Sequence, residues 1–153
     1  MEESTISIRD VMTADHKLCD ELFVNAELYV SKKDWAQANT AANEFIACLL
    51  YHFKHEEEIL FPEFEEISGM RHGPTEMMRH EHEQMKSLVT ELEKSLDNKN
   101  MDRYMGLSET LLIYMQQHNM KEEQILYPMI DSDCAENSKY LTQSIRDKNS
   151  LAV

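Results

Sequence analysis

The stretch HFKHEEEILFP (residues 52–62) returns as HNMKEEQILYP (residues 118–128), and the reading of the whole chain follows from that pair. Sliding the sequence along itself by 66 positions (118 − 52) superposes His52 on His118, Glu56 on Glu122 and Pro62 on Pro128. The same shift lays His16 on His82, each preceded by an acid in the words Asp15-His16 and Glu81-His82. In both halves the two histidines are 36 residues apart (52 − 16 and 118 − 82). Two units are far too few for a solenoid, so the repeat points to two alike helix pairs in one pseudo-twofold body.

Composition says what those units are made of. The chain has 153 residues, enough for one domain with a sizeable core, and only three Gly and three Pro. Leu, Met, Ala, Glu, Gln and Lys favour long helices, and no strand-like alternation competes with them. Apolar periodicity predicts helices over residues 8–30, from an Asp34 N-cap through the first motif, from Pro74 to the Asp97–Asn100 region, and over 101–130. Ser68-Gly69 to Gly73-Pro74 is the strongest break. The expected fold is all-α: an up-down antiparallel four-helix bundle in residues 1–133, with short loops joining neighbours. Residues 134–153 read as a polar, loosely docked tail with one helical turn. Eleven methionines suit a soft, adaptable core.

The net charge of −14 excludes nucleic acid and anionic membrane as expected partners, since phosphate binding needs clustered Lys and Arg. No run of eighteen apolar residues is present, and the polar start MEESTISIRD carries no apolar signal core. Three cysteines without a CxxC pair fit reduced thiols, and the expected compartment is the cytoplasm.

On a regular helix, residues four apart lie about 40° apart in direction and roughly 6 Å apart along the axis. His52 and Glu56 therefore share a face, as do His118 and Glu122. Apolar residues flank them on that face: Phe45, Cys48 and Ile59 around His52, and Leu111, Tyr114 and Ile125 around His118. Met12, Cys19 and Phe23 accompany His16, and Met78, Met85 and Val89 accompany His82. Burying two carboxylates and four imidazoles costs several kcal/mol per unpaired charge unless cations compensate. The reading is therefore a metal site in which His16 and His52 hold one ion, His82 and His118 hold the other, and Glu56 and Glu122 bridge. Imidazole and carboxylate suit iron, and less specifically manganese or zinc. Positions remain for an oxo or hydroxo bridge and an outside ligand, which implies reactivity. Ferritin-like Glu-x-x-His and zinc-protease H-E-x-x-H words are absent.

The doubled H-x-x-x-E-E-x-x-L-F/Y-P word resembles the hemerythrin-like (HHE cation-binding) family over roughly residues 10–130. The resemblance implies a four-helix bundle with a di-iron site, and carries the family's ligands onto His16, His52, Glu56, His82, His118 and Glu122. Oxygen-carrying members add a histidine one turn along the third helix, where this chain has Lys86, and use H-x-x-x-x-D where it has His118 and Glu122. The symmetric set looks more like the branch linked to iron–sulfur cluster repair and nitric oxide chemistry, without the cysteine-bearing N-terminal domain of some members. The expected function is binding or processing of a small oxidant or diatomic ligand (O2, NO or H2O2), with an electron donor the sequence does not name. Reversible O2 storage or sensing and an iron-responsive interaction module are the alternatives, and no catalytic residue is singled out.

Several residues sit beside this set. Cys19 and Cys48 lie one turn from ligand histidines and read as small core residues or as thiols that tune the site. Tyr114, at the position equivalent to Cys48, is placed to donate its hydroxyl to a bound ligand. Glu57 and Glu123 fall about 140° from the ligand direction, on the outside of the site. His55, His72 and His80 lack repeat partners and read as solvent-facing or outer residues; His72, beside Gly73-Pro74, is a candidate to swing into an open coordination position.

Overall fold

A computed structural model describes residues 6–151, and the described chain is all-helical with no strand. The elements are α1 (Ile8–Ser31), α2 (Trp35–His55), a π-helical turn (Glu56–Leu60), α3 (Phe61–Ser68), α4 (Pro74–Asp97), α5 (Met101–Lys121), a second π turn (Glu122–Leu126), α6 (Tyr127–Asp133), a short 3-10 turn (Ala135–Asn137) and α7 (Ser138–Leu151). No described helix is long and apolar enough to cross a membrane.

The repeat extends into the turns. Ser7 caps α1, accepting from the Asp10 amide at 3.0 Å. Asp34 caps α2 as expected, accepting from Gln37, and its counterpart Asn100 caps α5, accepting from Arg103. Before each cap stands a lysine in left-handed backbone, Lys33 (φ 55°) and Lys99 (φ 51°). Each turn closes with the same bonds, Lys33 N–H to Val30 and Asp34 N–H to Tyr29, then Lys99 N–H to Leu96 and Asn100 N–H to Ser95. Turns this tight fold α2 back on α1 and α5 back on α4, and the two hairpins then close through α1 against α5 and α2 against α4. At the other end Gly69 supplies the left-handed C-cap of α3 (φ 75°), where a side chain would be strained. Asp131 accepts from the Ile8 and Arg9 amides at the start of α1, at 2.8 and 3.1 Å. Its repeat counterpart Glu65 does the same work at the start of α4, where Pro74 has no amide proton: Thr75 Oγ1 and the Arg79 guanidinium donate to it instead, at 2.7–2.9 Å.

The core has two parts. Phe23, Phe45, Phe53, Met85, Leu92, Tyr104 and Leu111 fill the end near the tight turns. Met12, Leu60, Phe61, Phe64, Met78, Leu126, Tyr127 and Ile130 fill the other. The His16, His52, His82 and His118 positions lie between them along the helices.

The C-terminal segment differs from the loosely docked tail expected of it. α7 runs for 14 residues, and Leu141, Thr142 and Ile145 are buried in the second apolar cluster or beside it, with Cys134. It packs on α1 and the first π turn. Among the described side chains of α7, the buried apolar ones are Leu141 and Ile145, too few to register as a periodic face without the surface they dock on. Truncating Leu141 to alanine is expected to destabilise the fold by about 2–5 kcal/mol in denaturant titration. A change within about 0.5 kcal/mol, typical of surface positions, would mean that α7 does not contribute to the folded unit.

Candidate metal centre

The six residues singled out by the repeat converge, and all are essentially buried. Ligand atoms of Glu56, His82, His118 and Glu122 lie within 4.8 Å of one another, and so do those of His16, His52 and Glu122. Glu122 belongs to both groups. His16 and His52 face each other through Nε2 at 2.9 Å. Glu56 Oε1 stands 3.5 Å from His52 Nε2 and 3.0 Å from His82 Nε2. Glu122 Oε1 stands 3.2 Å from both His16 Nε2 and His118 Nε2. Each glutamate thus reaches one histidine of either pair.

The outward nitrogen of every one of these histidines meets a carboxylate. His16 Nδ1 is 2.7 Å from Glu123, His52 Nδ1 2.7 Å from Asp15, His82 Nδ1 3.4 Å from Glu57, and His118 Nδ1 2.8 Å from Glu81. Lys121 Nζ in turn donates to Glu81 at 2.6 Å. The four acids obey the repeat as well, Asp15 matching Glu81 and Glu57 matching Glu123. An acid on Nδ1 holds the proton there, fixes the ring, and leaves Nε2 with its lone pair pointing inward. Replacing Glu81 by Gln or Asp15 by Asn is expected to weaken metal binding about 10–100-fold in a chelator competition, with the helical signal intact. Unchanged affinity in both variants would show that these acids do not support the site.

The π turns were not legible in the sequence, and they alter which residues face inward. Each begins at a central glutamate and is closed by a bond to its carbonyl, from Phe61 N–H to Glu56 and from Tyr127 N–H to Glu122. One residue is thereby inserted into the helical register, as π-bulges at functional sites commonly do. Regular α geometry would aim Tyr127, nine residues after His118, about 180° away from it. The inserted residue brings Tyr127 and Phe61 inside instead, both fully buried, and leaves Ile125 58% exposed and Ile59 only half-buried. The apolar face expected at Ile59 and Ile125 is thus carried by Leu60 and Phe61, and by Leu126 and Tyr127.

This register places a phenol in the cluster. The Tyr127 hydroxyl is 2.8 Å from Glu56 Oε2, 3.0 Å from Glu122 Oε1, and 3.2 and 3.3 Å from Nε2 of His16 and His52. Phe61, its repeat counterpart, stacks near His82 with no hydroxyl to offer. Tyr114, expected to supply such a hydroxyl, is half-buried against the apolar cluster near the tight turns, and its hydroxyl makes no hydrogen bond to the six residues.

Electrostatics explain how so many charges share one interior. Burial works against protonated His52, but Glu56, Asp15 and Glu122 outweigh it and raise this imidazole well above its usual range. Burial likewise opposes the raised His118, which Glu122 and Glu56 bring to about 9, and the raised His82, which Glu56 and Glu57 hold up. Burial and the neighbouring Glu122 push Glu56 up. Glu122 stays well below the usual carboxylate range despite burial, held by Glu56 and by His118 and His16. Burial and the two glutamates push the Tyr127 phenol up.

The remaining histidines divide. His72 is exposed and bonded to Glu76 on the first turn of α4, at 3.2 Å, rather than turned toward the cluster. His80 is exposed. His55 is fully buried, with the Tyr51 ring at 5.5 Å, and its charge acts on Asp15, the acid that holds His52. It belongs with the outer residues and not with solvent. Cys19 and Cys48 lie against each other, one turn from His16 and His52.

A sequence model described as the hemerythrin HHE cation-binding domain matches residues 7–130. The chain belongs to the hemerythrin family. No curated protein and no solved structure matches it. The side chains of this hemerythrin domain fit a cation centre on their own geometry. With Nδ1 protons held by Glu123 and Asp15, the Nε2 lone pairs of His16 and His52 oppose each other at 2.9 Å, an arrangement that only a proton or a cation between them relieves. Glu56 Oε1, His82 Nε2, His118 Nε2 and Glu122 Oε2 are likewise buried without a well-formed hydrogen bond, and buried polar atoms in that state call for an ion or water.

Proposed function

We propose that this hemerythrin domain is a non-haem di-iron protein that binds or processes a small oxidant or diatomic ligand, O2, NO or H2O2, in oxidative or nitrosative stress or in iron-centre repair. Its ligands are His16 and His52 on one ion, His82 and His118 on the other, and Glu56 and Glu122 across both, within an up-down arrangement of the four long helical rods. The observation that carries the reading is the pair of buried donor groups sharing Glu122, since one shared carboxylate oxygen set between two histidine pairs suits two cations side by side. Iron rather than zinc is supported by the mixed imidazole and carboxylate donors and by the family.

Iron held by these residues would supply redox chemistry and bind an outside ligand. The chain's own groups govern access and protons. The Tyr127 hydroxyl, inside hydrogen-bond distance of both glutamates, is placed to donate to a ligand bound on the His16 and His52 side. Phe61 makes the opposite side apolar. Glu123 lines an open surface cleft of about 280 Å3 with Arg9, Asp20, Asn119 and Gln124, so one carboxylate separates that cleft from His16. The charge balance and reduced cysteines support a cytoplasmic setting.

The test is metal analysis with optical spectra of anaerobically reduced protein, before and after separate additions of O2, NO and H2O2. Two irons per chain with rapid oxidation by peroxide, or repeated NO consumption, are expected. A stable, reversible oxygenated form would replace this reading with oxygen storage or sensing. Less than one metal per chain in protein with intact helices would overturn the di-iron reading itself.

A further inference from the structure

Cys19 on α1 and Cys48 on α2 come from different helices, yet their Sγ atoms stand 2.7 Å apart. Both are free thiols. A disulfide bond is about 2.05 Å long, so closure needs the two sulfurs to approach by roughly 0.7 Å. Packing alone does not ask for sulfur at these places. The repeat puts Met85 and Tyr114 at the equivalent positions of the other hairpin, so the same helix interface is filled there by larger, unrelated side chains. Only one half of the molecule carries the pair.

The two thiols are unequal. Cys19 is 3% exposed, whereas Cys48 is half-buried and is the one that solvent reaches. Burial, which disfavours a thiolate, acts more strongly on Cys19 than on Cys48. A solvent-accessible sulfur touching a buried partner is the arrangement of an attacking and a resolving cysteine. The third thiol stands apart from this pair. Cys134 is buried in the far apolar cluster, and burial with nearby acids pushes it to about 11.

We propose that Cys19 and Cys48 form a redox-active dithiol, a second reactive site beside the metal centre, whose substrate class is a peroxide. The Cys48 thiolate attacks one peroxide oxygen, the O–O bond breaks, and the departing oxygen takes protons to leave as water, with Cys48 now a sulfenic acid. The Cys19 sulfur attacks the sulfenic sulfur, the S–O bond breaks, and a second water leaves with the Cys19 proton. Two thiols and one hydrogen peroxide thus give one disulfide and two waters, the thiols losing two electrons to the peroxide. A dithiol reductant restores the pair. The site goes beyond the metal reading and does not depend on which cation the cluster holds.

The test uses the full-length reduced protein with stoichiometric hydrogen peroxide and a chelator to remove loose iron, read by thiol titration, intact mass and peptide mapping without reductant. Free thiols are expected to fall from three to one, with the mass lower by two hydrogens and one cross-linked peptide pair containing Cys19 and Cys48. Dithiothreitol reverses all three changes. Cys48→Ser protein keeps both of its remaining thiols, Cys19→Ser protein accumulates a dimedone-reactive sulfenic acid on Cys48, and Cys134→Ser protein still forms the disulfide. Persistence of all three thiols in the wild type, a disulfide that includes Cys134, or sulfinic acid on Cys48 with Cys19 still reduced would each overturn the proposal. The variants' folding is checked by helical circular dichroism, and the wild-type peptide map decides the matter even where a variant fails to fold.

Discussion

Changing Glu122 to Gln is expected to empty both metal positions, whereas His16→Ala is expected to impair chiefly one. Glu122 is the only residue common to the two donor groups, with Oε1 at 3.2 Å from a histidine of each pair. The amide keeps the volume but removes the negative charge, and that charge is what offsets cations in an interior where uncompensated charge costs several kcal/mol. His16 serves only the group it forms with His52 and Glu122, so the group around His82 and His118 keeps its donors in His16→Ala. Metal content by elemental analysis after gel filtration, with circular dichroism to confirm helices, separates the two cases. Full retention of metal in Glu122→Gln would remove this residue from the centre of the site, and equal losses in both variants would argue against two positions that share it.

Metal-free and metal-loaded protein are expected to respond to pH in opposite senses. In the metal-free cluster His118 is raised from 6.5 to about 9, against burial, by Glu122 and Glu56, and His52 and His82 are raised as well. A raised imidazole contributes stability that is complete below its unfolded value, about 6.5, and is lost as pH rises through its folded value. The acids work the other way. Asp15, Glu57, Glu81 and Glu122 are lowered, so their contribution is present above the unfolded carboxylate range and is lost as pH falls through the folded values. Metal-free protein should therefore be most stable between the carboxylate range and about pH 6.5, and should weaken toward pH 9. Metal displaces the imidazole protons, so its stabilisation grows over the same interval. Denaturation midpoints of both forms across that range test this. Parallel curves would show that the cluster does not exchange protons for metal.

The parts of the site that were legible are those that local rules and the repeat both specify. Asp34 as a cap, Pro74 as a helix start and the break before it follow from backbone chemistry within a few residues. The six central residues follow from apolar faces and from a 66-residue shift that independent surface positions would not obey. The outer acids carried the same signal: Asp15 with Glu81, and Glu57 with Glu123, are acidic in both halves. A helical wheel does not assign them to the site because it relates them only to their own helix, whereas each meets a histidine of another. Tyr127 left no such trace, since its repeat partner is Phe61 and a regular wheel points it away.

The sequence by itself determined an all-helical chain, its turns and caps, the twofold repeat, and the four histidines and two glutamates that need charge compensation once buried. Tertiary structure decided the rest. The π turns follow no local sequence rule, and they bring Tyr127 and Leu126 inward in place of Ile125. Inter-helix distance decides that Asp15 meets His52, that Cys19 meets Cys48, and that two apolar residues of α7 find a surface to cover. Local rules set what each helix presents, while contacts across the bundle depend on how helices are rotated and spaced, which is fixed by the packing of the whole core.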